Sequence, residues 1–67
     1  MIYYPDWLPD YLYGSTDPWE IVDYLKESME DILHPMQMKY ALMEWSELVG
    51  AEITRDMVEA LGVRRGE

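Results

Sequence analysis

Carboxylates are the dominant chemical resource of this chain: 14 Asp and Glu stand against five Lys and Arg in 67 residues, for a formal net charge of −9 at pH 7. Two carboxylates held in a cleft can act as general acid and base, because the cleft pushes their pKa values apart. Set at calcium-loop spacing they hold a cation. Ranged along one element they take the places of phosphates on a basic protein surface. Spacing decides between these. Glu20, Asp23, Glu27, Glu30 and Asp31 recur at intervals of three and four, the repeat of one solvated helix face rather than of a cleft. No run of aspartates has calcium-loop spacing, and no glycine-rich segment has that of a phosphate loop. His34 is the single imidazole and there is no cysteine. No His/Cys metal set, disulfide or thiol nucleophile can therefore be assembled. His34, directly before Pro35, is expected to cap a helix or lie on the surface. The expectation is a protein that is not an enzyme, with no catalytic, metal-binding or cofactor-binding residue.

The charge also speaks about partners. A surface this negative repels nucleic acid and anionic membrane and attracts basic protein surfaces. The segment ending at Gly50 and the helix after Thr54 have loosely the spacing of a helix-turn-helix. The second helix, however, carries Arg55, Asp56 and Glu59 and is net acidic, and Arg64-Arg65 is the one adjacent basic pair. Phosphate contacts dominate nucleic-acid affinity, so no direct binding of nucleic acid is expected. No apolar run approaches the ~20 residues of a membrane span. The start Met1-Ile2-Tyr3-Tyr4-Pro5-Asp6 lacks the basic and apolar regions of a signal peptide. Together with the missing cysteines, this leads to the expectation of a cytoplasmic protein that does not bind membranes. Self-repulsion predicts a monomer or weak dimer.

The elements that must carry these groups are helical. With 49% hydrophobic residues the chain can build a core despite its charge. A chain of this length buries only about 60% of its unfolded surface, so its stability is modest or partner-assisted. The pattern predicts an all-α fold, a small compact bundle of three main helical segments with a short N-terminal aromatic turn. Residues 1–67 form a single domain: an aromatic segment over 1–16, a helical core over 17–62 and a tail over 63–67.

In the first helix, Asp17 caps, Pro18 takes the first position and Glu20 completes the box spacing. This helix is expected to run to about Leu33, because Pro35 restricts His34. Ile21, Val22, Leu25, Met29, Ile32 and Leu33 share an arc of about 120°, with the five acids opposite. The second helix is expected from Met36 to Val49, between Pro35 and Gly50. It carries a main apolar face (Met38, Ala41, Leu42, Trp45, Leu48, Val49) and a second stripe of Met36, Tyr40 and Met43. Thr54 starts a short helix to Leu61, with Ile53 and Val58 at staple spacing, and Gly62 ends it. The core is expected to centre on Val22, Leu25, Met29, Leu33, Ala41, Leu42, Trp45, Leu48, Val58 and Leu61.

Two surfaces emerge as candidates for binding a partner. The acidic stripe works against its own helix: like charges at Glu20–Asp23, Asp23–Glu27, Glu27–Glu30 and Glu27–Asp31 each cost about 0.2–0.5 kcal/mol. Glu30 and Asp31 are also expected at the C-terminal end, where the macrodipole favours cations. Five acids from Glu20 to Asp31 span ~16 Å of helix, one charge per ~4 Å, loosely matching the ~3.4 Å repeat of phosphates on one strand. The other candidate is aromatic. There are six Tyr, three Trp and no Phe, so every ring has a polar tip. Tyr3, Tyr4, Trp7, Tyr11 and Tyr13 crowd the N-terminus, where Pro5-Asp6-Trp7-Leu8 is echoed by Pro9-Asp10-Tyr11-Leu12. Pro9 opens one or two helical turns there and Gly14 stops them.

In size, charge and aromatic content the chain resembles phage-encoded inhibitors of host defence such as anti-CRISPR and anti-restriction DNA mimics, a likeness of composition that no motif carries. It implies a small acidic inhibitor occupying the basic, nucleic-acid-binding surface of a host complex. The binding residues would be Asp6, Trp7, Asp10, Tyr11, Glu20, Asp23, Glu27, Glu30, Asp31, Met36, Tyr40 and Met43. The alternative is an adaptor, antitoxin or assembly chaperone that binds through the aromatic N-terminus and the Met36/Tyr40/Met43 stripe.

Overall fold

Asp17, His34 and Thr54 each open an α-helix in the computed structural model, which describes residues 3–63. The helices are α1 (Pro18–Ser28), α2 (Pro35–Val49) and α3 (Arg55–Ala60), preceded by a 3-10 turn at Asp10–Leu12. No strand occurs among the described residues, and the protein is a small all-α bundle. Its radius of gyration, 11.3 Å, is close to the ~11 Å of a compact chain this long. No helix among the described residues is long and apolar enough to cross a membrane. Arg64-Arg65 lies outside the described residues.

The helix starts follow local chemistry. The Trp19 N–H donates to Asp17 Oδ1 at 3.0 Å, with Pro18 in the first turn. At α2 the Met36 N–H donates to His34 Nδ1 at 3.2 Å, and Gln37 Oε1 accepts from the His34 N–H at 2.8 Å. This reciprocal box satisfies donors that the first turn leaves free. Gly50 ends α2 in the left-handed region, at φ 74° and ψ 23°, where an L side chain is disfavoured. At α3 the Thr54 N–H donates to Met57 Sδ at 3.5 Å.

α1 departs from the expectation. It ends at Ser28 rather than near Leu33, and the N–H groups of Ile32 and Leu33 both donate to the Met29 carbonyl, at 3.0 and 2.8 Å. Two physical causes coincide. Pro35 holds His34 extended (φ −68°, ψ 150°), so the preceding residues must reverse the chain before α2. The acids Glu30 and Asp31 also oppose a helical C-terminus there. Ile32 consequently lies 70% exposed instead of joining the core face.

α1 is the helix that packs against both α2 and α3. The core joins Ile21, Val22 and Leu25 of α1 to Met38, Leu42 and Trp45 of α2, Met57 and Leu61 at α3, and Leu8 and Leu12 of the N-terminal segment. Val22, Leu25, Leu42, Trp45 and Leu61 are thus buried as expected. Met29, Leu33, Ala41, Leu48 and Val58 are only half-buried. Leu8, Leu12, Ile21, Met38 and Met57 fill the centre instead, because the N-terminal segment closes one side of the bundle. Trp45 is fully buried and its indole N–H has no protein partner, at a cost of about 1–3 kcal/mol set against the burial of the largest side chain. The Lys26 ammonium donates to the Ala60 carbonyl at 3.1 Å, placing a cation at the C-terminal end of α3, where the macrodipole favours it.

Candidate interaction surface

Each Asp and Glu from residue 3 to residue 63 is exposed. Glu20, Asp23 and Glu27 lie on α1, while Glu30 and Asp31 fall in the turn behind it. The expected row of five acids on one helix is therefore not formed. What remains regular is three charges over ~10 Å of helix, with two more at its end on non-helical backbone. Glu20 is further held by the N-terminal segment, since Ser15 Oγ donates to its Oε1 at 3.3 Å.

The aromatic segment is a folded unit. Leu8 and Leu12 anchor it in the core. The Leu8 N–H closes a turn on the Pro5 carbonyl at 3.1 Å, with Asp6 and Trp7 at the central positions. Tyr4 and Tyr13 stack with centroids 4.3 Å apart and planes 10° from parallel, and the Gly14 N–H donates to the Tyr4 hydroxyl at 3.1 Å. Tyr11 meets Tyr24 of α1 edge-on at 6.4 Å, a geometry that aligns the positive ring edge with the negative face. The Tyr13 phenol is pushed above its ordinary pKa, by loss of hydration first and then by the Asp10 and Asp6 carboxylates.

Among the expected contact residues, Asp6, Asp10 and Tyr11 are exposed, Tyr11 by 76%, while Trp7 is half-buried and packs on the core. Trp7 is thus both part of the lid and part of the surface. On α2, Tyr40 is 60% and Met43 42% exposed, and Met36 is half-buried. The second apolar stripe therefore faces away from the bundle.

The folded chain adds a feature that spans two elements. A cleft of about 530 Å³ is lined by Tyr3, Pro5, Asp6 and Trp7 of the N-terminal segment and by Glu44 and Leu48 of α2. Asp6 and Trp7 were candidates from sequence. Tyr3 belongs to the aromatic cluster read from sequence, whereas Glu44 and Leu48 are not candidates there, since only tertiary packing sets α2 beside the N-terminal turn. The i, i+4 spacing of Glu44 and Leu48 marks one helix face, but nothing local marks that face as a wall. Among the described residues no group of three His, Cys, Asp or Glu could hold a metal ion. Compared with family models, curated proteins and solved structures, the chain finds no significant match in any of the three.

Proposed function

We propose that the protein is a small acidic binding protein that occupies a basic surface on another protein, one that nucleic acid otherwise fills, in the manner of phage-encoded inhibitors of host defence. The observation that carries this reading is the outward placement of every carboxylate between residues 3 and 63. The α1 lysine, moreover, is engaged by a backbone carbonyl. The mechanism is competition without catalysis. Carboxylates stand in for phosphates, the long-range field raises the association rate, and the Tyr and Trp rings supply contact area once water is expelled. The shortened acidic row on α1 means that the mimicry is of charge density over the surface rather than of a regular phosphate repeat along one helix.

A second reading is favoured by one observation, the exposed Tyr40 and Met43 on α2. In it the protein is an interaction module that binds through apolar and aromatic contacts, as an adaptor, antitoxin or assembly chaperone does. One experiment separates the two. A partner captured from nuclease-treated lysate is purified, and its complex with the protein is measured across rising NaCl and with duplex DNA as competitor. The acidic-competitor reading expects affinity to fall steeply with salt and DNA to displace the protein. A complex indifferent to both overturns it and leaves the apolar module.

A further inference from the structure

We propose that the cleft between the N-terminal turn and α2 is a receptor for an arginine side chain of the partner. This rests on the reading of the protein as a binder of basic protein surfaces, and it names the group that anchors the complex. The argument is the chemistry of the lining. Two acidic residues, Asp6 from the Pro5–Leu8 turn and Glu44 from α2, line one cleft with the aromatic residues Tyr3 and Trp7. Pro5 and Leu48 supply its apolar wall. At about 530 Å³ the cleft falls within the ~300–1,000 Å³ of small-ligand sites. Anions are excluded by the two carboxylates and by the net charge of −9. A neutral apolar group would desolvate Asp6 and Glu44 without return.

A cation on an aliphatic stem matches every part of the lining. The stem lies along Pro5 and Leu48, the charge meets the carboxylates, and the ring faces attract it electrostatically. Arginine fits better than lysine. Its planar guanidinium both stacks on an aromatic face and forks two donors onto a carboxylate, and it gives up its water more readily than an ammonium does. The two carboxylates come from different elements, so the site exists only in the folded chain. Trp7 is already held against the core, which lowers the ordering cost of binding.

The test is an NMR titration of the isotopically labelled full chain with three blocked pentapeptides, Gly-Gly-X-Gly-Gly, where X is arginine, lysine or the uncharged isostere citrulline. The arginine peptide is expected to move the Trp7 indole N–H and the Asp6, Glu44 and Leu48 amides while leaving Asp23 and Glu27 of α1 in place. Lysine should bind more weakly and citrulline not at all. Glu44→Gln and Asp6→Asn change exposed side chains and should leave the fold intact. Each should weaken the arginine peptide about threefold to tenfold. Shifts spread evenly over the α1 acids, equal binding of citrulline, or an unchanged affinity in Glu44→Gln would each overturn the proposal. Failure here is distinct from failure of the wider reading. DNA-displaceable, salt-sensitive capture of a partner by both wild type and Glu44→Gln removes the arginine site and keeps the competitor. A seated arginine peptide without competition from DNA keeps the site and removes the competitor.

Discussion

Reversing Asp23 and Glu27 to lysine sets stability against binding on a single helix. Both side chains are exposed on α1, so neither substitution opens a cavity or strands a buried group. The double change turns the like-charge contact Glu20–Asp23 into an attractive pair at i, i+3, but it leaves positions 23 and 27 like-charged and makes the Asp23–Lys26 attraction a repulsion, so the pair contributions of about 0.2–0.5 kcal/mol nearly cancel. It also moves a positive charge into the last turn of a helix that ends at Ser28, worth about 0.3–1 kcal/mol against the macrodipole at low ionic strength. The variant should therefore be more stable than the parent by about 0.3–1 kcal/mol, the macrodipole contribution, a rise in Tm of roughly 1–8 °C for a domain this small. Urea and thermal unfolding at low salt measure it. The gain should shrink in 1 M NaCl, where the Debye length is ~3 Å. Association with a basic partner should meanwhile slow by an order of magnitude or more with little change in dissociation, because steering by charge acts on the on-rate. A loss of stability would refute the reasoning, since it would mean that these acids are structural. Unchanged association would reduce the α1 acids to a solubilising face.

Three further outcomes follow from the same geometry. Gly50→Ala should cost about 1–2 kcal/mol in thermal denaturation. Nothing lies within 4 Å of the added Cβ, so the loss measures the left-handed backbone and not a clash. Leu8→Ala should cost about 2–5 kcal/mol, because Leu8 is only 3% exposed. Amide exchange would show the N-terminal segment losing protection with it. His34→Ala should lose about 0.5–2 kcal/mol through the broken cap. The deficit should be largely recovered by His34→Asp, which restores an acceptor, and denaturant titration of the three proteins checks both statements.

The boundaries that depend on a few adjacent residues were legible before the fold. Asp17-Pro18 opens α1, His34-Pro35 opens α2, Gly50 closes it and Thr54 opens α3. At Asp17, His34 and Gly50 a capping side chain or a glycine acts within a turn of where it stands in the chain, and at Thr54, whose own side chain makes no cap bond, the backbone N–H is met by Met57 three residues on, so no distant contact is needed to decide any of them. The stripe of Tyr40 and Met43 was legible as a second apolar face, which periodicity leaves either central in the bundle or free for a partner, and the fold exposes it. The α1 stop was not. Met29, Ile32 and Leu33 continue the apolar period of α1, and periodicity records which face is apolar but not where the chain must turn back.

Sequence alone therefore determined the all-α class, the helix starts, the end of α2 and the acidity of the surface, because these follow from local backbone preference and from composition. Tertiary structure alone decided that Leu8 and Leu12 belong to the core. A segment broken by Pro5 and Pro9 has no helical or strand period to mark a buried side, and its burial depends on docking against α1 and α2. It also decided the cleft. Asp6 and Glu44 are separated by most of the first two helices, and two like charges are brought to one cavity only because the apolar residues between them pack.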